Sequence, residues 1–430
     1  RKVVGVTPGL CLRLLCLGLL GLWDLAQAEV ALDPRIEARE LVTLTPSHLP
    51  ELEGADPARI GLFSYQDRFL PIPFQIDEVD KFGRYLLAQG PSPQGGRGQF
   101  SALDELVFPV GVLGRRAPPG AALPCPASRW VELPIARSGD TLARGWVYAG
   151  ICPASVPRTS EDQIRYLPLL HRVEVPDYRL DFDPNAPMNP VRLTFRDDQG
   201  KDRLDMLHGI FLEGQAVLLK GLVRVTRTLK DFRSTLIAWS DGPVRLIRRT
   251  GPRIRTFGDH YTNPGTFTVD AILQPGHLVF EVMMHTDRDL SSFMNDLRMS
   301  FACDFKRQSG ARVLFPEVST GGTVNGILEG DELKLSQLQP TWIYFSGTQG
   351  AFIGRFSHTA QFPVTRRLLY QEPSGDLLRL GYRMSKLHRV TRGRSVYRAE
   401  FLNLEGGTFE DARRVMAARA RPMTRLTAMP

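Results

Sequence analysis

The sequence predicts an all-β protein, mainly antiparallel, built as one or more β-sandwiches with few short helices and a helix near its C-terminus. Two observations predict this class. Short apolar segments with period-two alternation recur along the chain, separated by Gly, Pro and Asp-Gly turns. Only residues 409–420 carry a helical pattern with clear end signals: Thr408 as N-cap, Asp411 three residues on, and arginines toward the finish. A Walker loop, a dinucleotide-binding glycine pattern, a Cys-x-x-Cys-His haem site and a nucleophile elbow are all missing from the sequence. Those absences disfavour nucleotide-dependent enzymes, haem proteins and α/β serine hydrolases.

Residues 1–28 read as a signal peptide. Arg1 and Lys2 give a basic start, residues 14–23 are an apolar run, and Ala26-Gln27-Ala28 is a small-residue cleavage site. The run is shorter than the ~20 residues needed to cross a bilayer, and no later run is long and charge-free enough for a transmembrane segment after cleavage. The mature chain is therefore expected to be exported, periplasmic or secreted. Residues 29–158 are expected to form an N-terminal β domain, and residues 159–430 a larger β-sandwich domain. The polar stretch near Pro153 marks the boundary.

Within the first part, residues 41–44 and 60–63 are short β segments, and prolines at alternate positions confine residues 70–76 to a strand edge or start. Phe74 to Asp80, a neutral Gly/Pro/Ser/Gln loop, and Asp104-Glu105-Leu106-Val107-Phe108 then form a strand pair with carboxylates at one end. Asp77, Glu78, Asp80, Asp104 and Glu105 converge if the strand ends meet. Calcium takes six to eight oxygen ligands, which makes Ca2+ the candidate ion here; the spacing is not that of an EF-hand. The alternative is a set of turn carboxylates satisfying local backbone donors. No other cofactor is expected.

Cys125 and Cys152 stand in similar Pro-bracketed contexts and are expected to form a disulfide, which closes a loop with a contribution of about 3 kcal/mol. Cys303 shares a period-two apolar face with Met299, Phe301 and Phe305, as expected of a buried free thiol. Residues 161–170 read as a short helix. From Val191 onward strand follows strand, ending in a basic hairpin that pairs residues 378–384 with 395–402 across residues 391–394.

Three further stretches invite chemistry. His260 and Tyr261 lie on a turn near Arg248, Arg249, Arg253 and Arg255. A histidine beside a tyrosine can divide general-base and general-acid work next to a uronic carboxylate, and arginine neutralises such a carboxylate bidentately. The other reading is a polar turn with solvated arginines. His285, Asp287, Asp289 and Asp296 read either as a divalent-metal set or as the start of a helix capped by Asp287 or Asp289. Finally, residues 365–430 hold fourteen Arg/Lys against six Asp/Glu, while the rest of the mature chain is nearly neutral. Arg383, Arg389, Arg392 and Arg394 are the expected ligand-binding residues of a polyanion surface, unless each is paired with a carboxylate. For an exported chain the partner is an anionic glycan or an envelope component, not nucleic acid.

Pro73-Phe74-Gln75-Ile76-Asp77-Glu78 paired with Asp104-Glu105-Leu106-Val107-Phe108 resembles a signature of exported bacterial β-sandwich proteins of unknown function. Some of these look related to sugar-processing families with a galactose-mutarotase-like sandwich. Asp241-Gly242-Pro243-Val244-Arg245 is similar to a turn of the same group. The resemblance covers about a tenth of the chain. It implies a carbohydrate-linked setting and carries over no catalytic residue. The expectation is an exported, non-catalytic β-sandwich protein that binds an anionic glycan. The alternatives are a lyase on acidic polysaccharide, acting through His260 and Tyr261, and a structural subunit of an envelope assembly.

Overall fold

Leu378, Leu380, Tyr382 and Met384 alternate along the strand Leu377–Ser385 and all are buried. That period-two face needs an apolar layer opposite it, and the fold supplies one. The computed structural model describes residues 32–426 apart from 123, 127–128, 154–155, 198, 219–220, 264–265, 309, 320, 360–361 and 374–375. The segment read as a signal peptide lies outside the described residues.

Leu377–Ser385 pairs with Met294–Lys306 on one side and Thr365–Gln371 on the other. Leu207–Leu218 and Val223–Thr228 complete this five-stranded antiparallel sheet. A ten-stranded antiparallel sheet faces it. Its order is Phe232–Asp241, Leu246–Phe257, Thr266–Gln274, His277–Thr286, Gly393–Asn403, Gly350–His358, Trp342–Gly347, Arg312–Leu314 and Gly322–Thr323, with His260–Thr262 alongside Leu246–Phe257. A third sheet, of the strands between Arg165 and Asp205, adds Val173, Tyr178, Phe182 and Phe195 to the shared core. At its centre the Phe305 ring lies 5.8 Å from Phe345 and 5.2 Å from Phe352. Such pairs add about 0.5–1.5 kcal/mol beyond the area they bury.

A second core lies under two smaller sheets. One holds Leu41–Leu44, Glu105–Pro109 and Gln75–Asp77. The other runs Met423–Arg425, Arg129–Arg137, Gly145–Ile151, Ile60–Tyr65 and Phe69–Pro71. Val42, Leu62, Phe108, Leu133 and Val147 fill the space between them, together with Met423 from the far end of the chain.

Among the described residues there are two α-helices, α1 (Pro34–Ala38) and α2 (Phe409–Arg419). The end signals of α2 act as read: Thr408 Oγ1 accepts from Asp411 N at 3.2 Å, and Asp411 Oδ2 accepts from Thr408 N at 2.8 Å. Ala412 and Val415 dock it on Trp342, Tyr344, Ile353 and Leu402, on the outer face of the ten-stranded sheet. Arg137, only 2% exposed, donates to the carbonyl of Ala418 in the last turn, to that of Arg421 just past it, and to Glu37 and Glu40. A cation there answers the unsatisfied carbonyls of a helix end.

The disulfide forms as expected, with Cys125 and Cys152 Cα atoms 5.9 Å apart, and Cys303 is a free, buried thiol. Two local expectations are corrected. Residues 165–170 form a three-residue strand and a 3-10 turn, because Pro168 and the left-handed His171 (φ 50°) end any helix. The basic segment is not a hairpin. Leu377–Ser385 joins the five-stranded sheet and Gly393–Asn403 the ten-stranded one. Both strands carry an apolar face, and both are buried by stacking across the core instead of pairing edge to edge. Lys386, left-handed at φ 66°, and the turn Leu387–Arg389 carry the chain from one layer to the other.

Candidate functional site

The carboxylates expected to meet calcium converge on nitrogen donors instead. Arg245, 5% exposed, donates from Nε to Asp77 Oδ2 at 2.6 Å and from Nη2 to Glu105 Oε2 at 2.5 Å. Gln75 completes the arrangement: its Oε1 accepts from Arg245 N at 2.9 Å and its Nε2 donates to Asp77 Oδ1 at 2.8 Å. Burial works against the Arg245 charge, but Asp77, Tyr85 and Glu105 outweigh it and hold the guanidinium protonated. Asp104, fully buried, accepts from Val79 N, Ser101 N and Arg97. Asp80 accepts from Phe82 N and Arg84 N, and Glu78 from Arg97 N. Among the described residues no group of three or more His, Cys, Asp or Glu side chains is placed to hold a metal ion.

The four expected ligand arginines are not brought together. Arg383 is exposed on the outer face of the five-stranded sheet, opposite Ser300 and Arg367. Arg394 lies on the outer face of the ten-stranded sheet, on the far side of the sandwich, where it donates to Gly83 O at 3.2 Å. Arg389 and Arg392 are exposed on the connection between the two layers. His285 and Asp287 form a solvent-exposed pair at 3.6 Å, while Asp296 faces Arg298 and His388. His260 and Tyr261 are neighbours on the short strand His260–Thr262 and border one open cavity. Of the nearby arginines, Arg248 and Arg249 are buried and used elsewhere: Arg249 pairs with Asp270 at 2.6 Å, and Arg248 donates to Tyr166 and Pro187.

A different cleft has the lining of a ligand site. Along Arg129–Arg137 the odd residues Val131, Leu133 and Ile135 enter the core, so Trp130 and Glu132 face away from it. Register places Glu132 opposite Tyr148 and Trp130 opposite Gly150. A Cβ on Gly150 would lie 2.9 Å from indole carbons of Trp130, so the missing side chain lets the indole lie against the strand. Phe69 packs edge-on to Tyr148 at 5.0 Å, and Phe63 lies 5.5 Å from Trp130. The segment 116–121 forms the opposite wall, tied by Ala117 N donating to Tyr148 Oη at 2.6 Å. Arg116 Nε donates to Glu132 Oε1 at 2.9 Å, and Tyr148 Oη to Glu132 Oε2 at 3.2 Å. Burial pushes the Tyr148 phenol up, so it stays a neutral donor. The cleft encloses about 480 Å³, within the range of small-molecule sites, with an aromatic floor and a few placed polar groups.

In sequence, residues 130–133 and 146–148 read as strands and residues 115–126 as a Pro/Gly/Ala-rich stretch, which does not disclose a cleft. The signal for the cleft was the Trp-x-Glu alternation opposite an apolar one, with a tyrosine on the next strand.

The chain matches no protein-family model and no curated protein sequence. Among solved structures it is similar to an α-mannosidase from Enterococcus faecalis V583, at 11% identity and TM-score 0.48, over 91% of this chain and 45% of that one. It is similar to an α-N-acetylgalactosaminidase from Bifidobacterium bifidum at 13% identity and TM-score 0.37, over 58% of this chain and 38% of that one. A putative aldose 1-epimerase from Klebsiella pneumoniae subsp. pneumoniae MGH 78578 aligns at 12% identity and TM-score 0.34, over 58% of this chain and 83% of that one. The chain thus spans less than half the length of the mannosidase.

Elsewhere on the outer face of the ten-stranded sheet, His277, 7% exposed, sits between Arg419 and Glu400. Arg419 Nη2 lies 3.0 Å from Nδ1, which assigns the ring proton to Nε2, 3.5 Å from Glu400 Oε2. Burial first, and then the Arg419 charge, push the imidazole down to about 4 from its usual 6.5.

Two outcomes are expected. Between pH 6.5 and about 4 the unfolded chain protonates at His277 while the folded one resists. Stability is therefore full above pH 6.5, and acidification through that window removes on the order of 3 kcal/mol. Urea midpoints at pH 7 and pH 4.5 should fall less for His277→Gln than for wild type; equal falls would assign the acid sensitivity elsewhere. Separately, Arg245→Met leaves Asp77 and Glu105 without their counter-charge and should cost about 3–5 kcal/mol. Asp77→Leu and Glu105→Leu added to it should recover much of that loss in the same assay.

Proposed function

We propose that this is an exported, non-catalytic β-sandwich protein that holds a sugar ring in the Phe69–Trp130–Tyr148 cleft, with an anionic glycan as the ligand class. One observation carries the reading: outward-facing aromatic rings share a cleft with Arg116 and Glu132. The apolar face of a sugar packs on an aromatic ring, and its hydroxyls take hydrogen bonds from the polar rim. Arg116 uses Nε on Glu132, which leaves its two terminal amino groups for a ligand carboxylate. The leader-like residues 1–28 and the Cys125–Cys152 bridge support export, since disulfides persist in oxidising compartments.

Titration of neutral and uronate oligosaccharides, followed by tryptophan fluorescence and calorimetry, tests the reading. Trp130→Ala is expected to weaken binding by roughly tenfold or more, as truncation of an aromatic anchor does. Arg116→Gln should weaken uronates and leave neutral sugars nearly unchanged. Wild-type affinity in Trp130→Ala would exclude the cleft.

A further inference from the structure

Arg233 and Arg253 stand directly opposite each other on adjacent antiparallel strands, Phe232–Asp241 and Leu246–Phe257. Like charges at such a position repel, and proteins normally offset them with an acid. The neighbouring arginines follow that rule. Arg249 is paired with Asp270 and Arg255 with Asp231. Among the described residues neither Arg233 nor Arg253 is in an ion pair with a carboxylate, although both border the same open cavity of about 420 Å³.

The rest of that cavity is built to take what the pair lacks. The Arg233 guanidinium carbon lies 4.2 Å from the centroid of the Tyr261 ring. Stacking on an aromatic face fixes the guanidinium plane and leaves its edge donors free. Asn185 and His260 add polar groups to the walls, and Asp259, the one acid in the lining, is in no ion pair among the described residues. Arg227 donates to the carbonyls of Arg255 and Thr256 at 2.6 and 2.8 Å, just beyond Arg253 along the same strand.

We infer that Arg233 and Arg253 form a two-guanidinium clamp for an oxyanion, a carboxylate or sulfate group of an acidic saccharide, at the edge of the ten-stranded sheet. Two forks facing one cavity can bracket such a group with parallel N–H···O bonds. The bound anion also removes the repulsion between the arginines, so binding and local stability are coupled. The site shares no residue with the aromatic cleft and does not depend on it.

The test uses the whole chain at constant ionic strength, with chloride as the reference anion. Sodium sulfate and trigalacturonate are titrated separately, read by calorimetry and by melting temperature. Wild type should be stabilised by at least one of them beyond chloride; response to trigalacturonate alone marks a saccharide-borne carboxylate, and response to sulfate marks tetrahedral oxyanions as acceptable. Arg233→Gln and Arg253→Gln should each weaken binding roughly tenfold, the loss of one charge-assisted contact. Without oxyanion and at low salt, Arg253→Gln should melt higher than wild type, because the opposed charge is gone. Arg298→Gln, an exposed arginine paired with Asp296 on the other layer, should respond as wild type. Equal responses to all three anions in wild type, or an undiminished response in both clamp variants, would overturn the inference.

Discussion

The buried guanidinium of Arg245 is the constraint on which the arrangement of sheets depends. It sits where the Asp241–Arg245 turn enters the strand Leu246–Phe257, and it holds Asp77 and Glu105 from the small sheet that carries Gln75–Asp77. An unpaired charge at such depth is prohibitively costly, so each partner fixes the position of the others. The loop that follows Asp77 is thereby laid over the outer face of the ten-stranded sheet. Leu87 there is fully buried against Ala238, Ile247, Ile272 and Val279. Gly90, at φ +110°, passes so close that a Cβ would lie 2.8 Å from Ala238 Cα. The latch and the loop therefore form one unit.

Around this apolar patch the same face carries buried charges that are largely paired with one another. Asp270 answers Arg249, and Glu281 answers Arg398 across paired strands. Glu400 lies far below the usual carboxylate range, at about 2, because the favourable charges and hydrogen bond around it, His277 first, outweigh its burial. The two proposed binding sites use residues outside these ion pairs. One is the Trp130 cleft, where a glycine and a proline-rich wall leave the half-buried rings of Phe69 and Trp130 lining an opening. The other is the Arg233–Arg253 pair.

Much of the fold was legible because its signals are local. Period-two alternation marked the strands, and Thr408 with Asp411 marked the start of α2 within a few residues. The two Pro-flanked cysteines marked their own bridge. The hairpin expectation failed because alternation says that a strand has an apolar face without saying which layer that face meets. The site was less legible for the same reason. The motifs at Gln75–Asp77 and Asp241–Arg245 were both visible, but their contact spans 168 residues, and carboxylates alone look like metal ligands. Trp130, Glu132 and Tyr148 were read as strand formers, since nothing in a single strand tells which of its two faces is open.

The strand Met423–Arg425 completes a sheet whose other members all lie before residue 152. Arg137 in the same sheet caps carbonyls as far as 284 residues along the chain. Closing so long a loop is slow compared with local pairing. Until that closure the edge of Arg129–Arg137 is an open template for pairing with another chain. A sheet begun at residue 60 is thus completed only by a strand made near the far end of the chain.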